Sequence, residues 1–141
     1  WYLIAKVVAS DAVIVYSLDR ISEFRRSSHT FQYPENFAPE QYFQDCYGII
    51  AGDGTDCEHV VLKASVGQAN YLRDLPLHPS QQETERNDEY SLFELDVRPT
   101  FDFQQELLWN GEDVEVLQPT WLRKEIAGKI KRMWNKYKKD K

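Results

Sequence analysis

The sequence has little cysteine, glycine or proline, and almost no methionine. Cys46 and Cys57 are the two cysteines among 141 residues. A small secreted domain stapled by disulfides would usually carry more. The pair therefore reads as two reduced thiols, with a single bridge as the other arrangement. Cys57 and His59, with Cys46, have the look of part of a metal site. A structural zinc needs four such ligands at tight spacing, and they are not here, so no metal is expected. Six glycines form no phosphate-cradling loop, and no cofactor is expected. The single methionine is Met133, and the sequence opens at Trp1. It is thus expected to be a piece of a longer polypeptide or a trimmed product. No apolar run approaches the roughly 20 residues of a membrane helix. No signal-peptide pattern is visible either. No membrane partner is expected, and the cytoplasm is the expected compartment.

What is there is enough for a core. Hydrophobic residues make up 42% and aromatics 13%, while 28% charged residues speak against wholesale disorder. The length fits one domain, or one small domain plus part of another. The net charge of -6 hides an asymmetry. From Arg123 to Lys141 there are nine basic and two acidic residues, a net of +7. The preceding 122 residues carry eight basic and 21 acidic groups, a net of -13. An acidic body with a basic tail is unlike a protein whose whole surface grips nucleic acid. The tail reads as a solvated helix face with cations near its C-terminus, or else as a phosphate-binding face.

Trp1 to Val8 is rich in β-formers, and Ser10-Asp11 breaks it. Ala12 to Leu18 resumes, which predicts a hairpin. Trp1 and Leu3 share a face and are expected in a core. Arg20 to Ser28 is polar without period, and Tyr33-Pro34 and Ala38-Pro39 mark an irregular connector. A short helix is expected over Glu40 to Cys46, with Pro39 in its first turn and Gly48 as its stop. Gly48 to Gly54 reads as a strand end and a turn.

From Glu58 onward the elements alternate. Val60, Leu62 and Ala64 share one strand face, and Val66 to Arg73 reads as a helix ending before Pro76. His78 to Asp88 reads as a loop. Phe93, Leu95 and Val97 share a strand face. Thr100 or Asp102 caps a helix to Trp109, which Asn110-Gly111 ends. Val114 to Leu117 is a short strand. Pro119-Thr120 starts a long helix with an apolar stripe of Leu122, Ile126, Ile130, Trp134 and Tyr137. The expected organisation is strand, helix, strand, helix, strand, helix, with a boundary between Ser28 and Cys57.

A two-stranded hairpin is marginal in water. Strands this apolar need partners upstream, in the second unit or in another chain. The first unit is therefore expected to be incomplete.

The opening Trp1-Tyr2-Leu3 and the later Tyr16-Ser17-Leu18-Asp19-Arg20-Ile21 resemble the WYL domain. In that domain a Trp-Tyr-Leu strand is followed by one ending in x-Leu-Asp-Arg-Ile. The rest is similar to the WCX extension that follows WYL domains. The matching features are the Tyr71-Leu72 helix, Pro76-Leu77-His78-Pro79-Ser80-Gln81, Asp102-Phe103, Leu107-Leu108 with Gly111, and Val114-Glu115-Val116-Leu117-x-Pro119-x-x-Leu122-Arg123. The resemblance covers nearly the whole chain.

It implies an α+β fold: an incomplete SH3/Sm-like β-barrel (WYL) followed by a ferredoxin-like α/β sandwich (WCX). Residues 1–28 would be the C-terminal strands of a truncated WYL domain, 29–56 a connector and 57–141 the WCX domain. The family's usual organisation places a winged helix-turn-helix first, and its members are mostly bacterial transcription regulators. A homodimer is implied, with promoter DNA reached only through the absent N-terminal domain.

The WYL effector is implied to be a nucleotide or single-stranded nucleic acid, held by arginines beside stacking aromatics. Arg20 matches the signature arginine, and its other role is an ion pair with Asp19 or a neighbouring carboxylate. Tyr2 and Tyr16 are candidates to stack a base, or else pack. Ser17 stands where many WYL domains carry a basic residue; its hydroxyl can hydrogen-bond a phosphate without adding charge. Arg25 and Arg26 are close enough in sequence to compensate, or else form a solvated pair. Arg123 opens the last helix, where a cation opposes the dipole and calls for a carboxylate or a bound anion. Arg98, on a polar strand face, is a further candidate. His78 with Ser80 lacks an oriented carboxylate and a nucleophile elbow. A loop-fixing hydrogen bond is its expected role, and no catalytic residue is expected.

The function expected is effector sensing and dimerisation in a transcription regulator. The alternatives are a purely structural oligomerisation module and, with little support, a hydrolase using His78.

Overall fold

Alternation sets the main sheet. On β3 (Glu58–Ser65), Val60, Leu62 and Ala64 are fully buried while His59 points to solvent. On β5 (Tyr90–Val97), Phe93, Leu95 and Val97 do the same. Period-two burial on both strands puts one face of the sheet against a core. The computed structural model describes residues 1–51 and 53–138. Gly52, within the expected turn, and Lys139 to Lys141, at the end of the basic tail, lie outside the described residues.

The remaining elements are β1 (Tyr2–Lys6), β2 (Val13–Ser17), α1 (Pro39–Tyr42), α2 (Val66–Asp74), β4 (Gln82–Arg86), α3 (Phe101–Trp109), β6 (Val114–Gln118) and α4 (Thr120–Tyr137). The fold is mixed α+β with two antiparallel sheets. β1 and β2 form one; the other has the order β4-β5-β3-β6. No closed barrel is present among the described residues. Ala69 and Leu72 of α2, Phe103 and Leu107 of α3, and Leu122 and Ile126 of α4 close over the buried sheet face as one cluster.

Local chemistry sets the helix ends. The Ser65 hydroxyl accepts from the Gln68 amide and caps α2. Gly111, at φ +60°, takes the left-handed position just past α3 that a side chain would oppose. Gly48 lies close to α3: a Cβ there would meet the Asp102 carboxylate, which would have to shift.

Five expectations change. No strand end occurs over Gly48 to Gly54 among the described residues. The stretch read as a loop contains β4, whose five residues are all exposed. An edge strand of this kind is positioned by backbone pairing to β5, so it has no apolar alternation to read. The first helix is only four residues, because the chain leaves it to bridge Cys46 to Arg98, with the Arg98 amide donating to Asp45 O at 2.7 Å. Trp1 and Leu3 are not core but 95% and 48% exposed, since no second layer covers the hairpin among the described residues. The α4 stripe is buried at Leu122 and Ile126 only; Ile130, Trp134 and Tyr137 stand in solvent.

Candidate functional site

The hairpin carries most of the sequence-derived candidates. Its register pairs Tyr2 with Ser17 and Leu3 with Tyr16. Residues directly opposite in an antiparallel pair share a face. Tyr2 and Ser17 are therefore neighbours, while Tyr16 lies on the other face and cannot join them in one stack. After Ser17 the chain turns through a short 3-10 segment, Leu18–Arg20, closed by the Ile21 amide donating to Leu18 O. Arg20 ends that turn, exposed, one turn beyond the Tyr2–Ser17 pair. Its expected partner Asp19 does not engage it: among the described residues neither Arg20 nor Arg25 makes an ion pair. Arg25 lies in a stretch without regular structure. A phenol, a hydroxyl and a free guanidinium at one end of the hairpin are groups that suit an anion with an aromatic portion.

The two candidate arginines of the larger unit, Arg98 and Arg123, are used internally. Arg123 donates to Val116 O at 2.6 Å and pairs with Glu115 at 2.6 Å. Glu115 is the carboxylate that offsets a cation at this helix start. Arg98 reaches Asp45 at 3.7 Å, and its Nε is buried without a partner. It ties β5 to the connector. These two do not converge with the hairpin candidates.

His78 is buried between connector and sheet. Its Nδ1 accepts from the Ser80 amide at 3.2 Å, which leaves Nε2 to donate to Gln44 O at 2.8 Å. The Ser80 hydroxyl accepts from the Asp96 amide at 2.9 Å. Both ring nitrogens are thus held, and His78 latches residue 44 to the end of β5. This is the loop-fixing geometry that the sequence suggested.

Sequence reasoning passed over His59. On the open sheet face it lies 2.9 Å from Asp96 and 3.3 Å from Glu94. The hydrogen bond that its Nδ1 donates to Asp96, with the neighbouring carboxylate charges, raises its pKa above the ordinary value. Its alternation with Lys63, against Glu94 and Asp96 two apart on β5, was the available signal; the register that pairs them was not. Arg73 was also missed. It grips Glu83 through Nε at 2.8 Å and holds that carboxyl at about 2. The two cysteines are free thiols, Cys46 buried and Cys57 exposed; burial raises Cys46 above the ordinary thiol value, and partial desolvation with the nearby Asp45 and Asp96 charges raises Cys57. No group of three His, Cys, Asp or Glu side chains among the described residues is placed to hold a metal ion. No helix among them is long and apolar enough to cross a membrane.

Residues 57–134, the stretch from just before β3 into the last turns of α4, match the family model of the WCX domain. No curated protein matches the chain.

Proposed function

The chain belongs to the WCX domain family, and on that premise we propose that it is the ligand-sensing and dimerisation region of a bacterial, cytoplasmic WYL-family transcriptional regulator. The sheet order β4-β5-β3-β6, with helices between β3 and β4 and between β5 and β6, supports reading the larger unit as a ferredoxin-like sandwich. The hairpin supplies two strands of an SH3/Sm-like barrel in this reading. The observation that carries the proposal is the pairing of Tyr2 with Ser17 in the hairpin register, with Arg20 three residues further along the chain and outside every ion pair among the described residues. The effector is a nucleotide or short single-stranded nucleic acid, with a base on Tyr2 and a phosphate at Ser17 and Arg20. Binding shifts the relative pose of two subunits. Promoter DNA is reached through a separate helix-turn-helix unit.

A second reading has an observation in its favour. Arg98 and Arg123 are paired to Asp45 and Glu115, which suits a structural oligomerisation module that senses nothing. Fluorescence anisotropy of short labelled single-stranded DNA and RNA, at low and physiological salt, separates the two. The sensing reading requires binding that weakens with salt and falls about tenfold in Arg20→Ala. Absence of binding to every oligonucleotide and nucleotide leaves the structural module.

A further inference from the structure

α4 offers more apolar surface than the sheet covers. Its buried residues are Leu122 and Ile126, and burial stops there, one turn before the stripe continues at Ile130. Beyond them Ile130 is 50% exposed, Met133 47% and Trp134 62%. α3 ends beside this stretch with Trp109, 86% exposed. Between the two helices runs an open groove of about 490 Å³. Leu108, Trp109 and Met133 line it together with Gln105 and the cations Lys129, Arg132 and Lys136. Lys129 is fixed there by donating to Gln104 Oε1. Arg132 keeps only a long 3.8 Å approach to Glu125, and Lys136 makes no ion pair among the described residues.

We propose that this α3–α4 groove docks an acidic amphipathic helix of a partner protein. Charge complementarity identifies the occupant. The groove lies in the one strongly basic stretch of an otherwise acidic chain, so an acidic segment is drawn to this end and repelled elsewhere. Shape narrows it further. A concave trough with an aliphatic and thioether lining accepts branched and aromatic side chains at i, i+3, i+4 and i+7. RNA and an anionic membrane carry the same sign of charge, and the comparators below separate them from an acidic helix. The exposed half of α4, residues 127–137, is about 16 Å long and matches three turns of a docked helix.

The test uses the whole protein and a fluorescein-labelled synthetic helix of about 18 residues, five turns. The peptide carries leucines along one face and glutamates along both flanks. The comparators are the same peptide with lysine for every glutamate, a short single-stranded RNA, and vesicles of phosphatidylserine with phosphatidylcholine. The glutamate peptide should bind at least about tenfold more tightly than the lysine peptide and should weaken with salt. The combined R132E and K136E substitutions, and separately M133E, should each weaken it about tenfold or more. All three positions are exposed or at the groove surface, so circular dichroism should be unchanged. Tyr71→Ala, on α2, should have no effect. Equal binding of the two peptides, indifference to the groove substitutions, or a preference for RNA or vesicles that the same substitutions abolish would overturn the proposal. So would sedimentation showing that the groove is closed by a second copy of the chain.

Discussion

The two sheets differ in how much of their stability they carry themselves. The four-stranded sheet buries three residues on β3 and three on β5 beneath α2, α3 and α4. The β1–β2 hairpin is as apolar in composition, yet Leu3, Ile14 and Tyr16 are all at least 40% exposed. Strand-forming sequence is therefore not enough; a sheet needs a covering layer, and among the described residues only the larger one has it. The functional reading follows the same division. The self-sufficient unit is the one whose family is shown, and the unpartnered unit carries Tyr2, Ser17 and Arg20.

Truncation in the core should expose this difference most strongly. Phe93→Ala removes a side chain that is 1% exposed. Transfer and cavity costs together predict a loss of about 3–5 kcal/mol in urea denaturation. Trp1→Ala, at 95% exposure, should change stability by less than about 0.5 kcal/mol. Amide exchange should agree: β3 and β5 amides open only with global unfolding, whereas β1 and β2 amides exchange far faster. Equal losses for the two substitutions would mean that the hairpin is covered in solution.

The same division governs what the sequence made legible. β3, β5, β6 and all three long helices follow from periodicity and from Gly111, because burial on one face writes a period into the residues. β4 leaves no such trace, since Gln82 to Arg86 are all exposed and their placement comes from pairing. The hairpin's strands were readable, but whether Trp1 and Leu3 are buried depends on a second layer, which local sequence does not encode. At the candidate sites, the role of His78 was readable from its Pro-rich segment and the neighbouring Ser80. The Arg123–Glu115 pair was half readable: a counter-charge was required, and its identity was not. His59 was missed because its partners come from strand register.

The joint between the two regions should break at intermediate cost. His78→Ala removes both bonds of the latch and leaves Gln44 O and the Ser80 amide without their partner. A loss of about 1–3 kcal/mol is expected. Exchange should speed up selectively around residues 38–48 while β3 keeps its protection. His78→Gln, which can still donate to Gln44 O, should recover part of the loss. Uniform loosening of the whole large sheet would show that His78 belongs to the core instead.

The Arg73–Glu83 pair tests how the exposed edge strand is held. The folded carboxyl lies near 2, well below its ordinary value of 4.5. A depressed carboxyl stabilises the fold above the unfolded value and loses that contribution as pH falls toward the folded one. The loss should therefore fall between about pH 4.5 and 2. Glu83→Gln should flatten the acid side of the stability profile in that window and weaken β4 protection, with less total effect than His78→Ala.

The smallest effect expected is at His59, and it contrasts the regions at the level of one residue type. His29, in the loose stretch, bonds only to Ser27, two residues away. His59 meets Asp96, 37 residues away, because sheet register brings it there. The Asp96 hydrogen bond favours its charged form, so the folded pKa is raised. A raised value contributes stability that is complete below the unfolded 6.5 and is lost as pH rises through the folded value. At an exposed site this contribution is small and screened by salt. The imidazole titration of His59, followed by NMR, should move down toward the ordinary value in Asp96→Asn. Denaturation midpoints of the native protein should fall slightly from pH 6.5 upward, and His59→Asn should remove that slope. A titration of His59 that ignores Asp96→Asn would mean that the register pairing His59 with Asp96 is not kept in solution. That outcome would bring the contrast between the two sheets into question at the exposed face of the larger one.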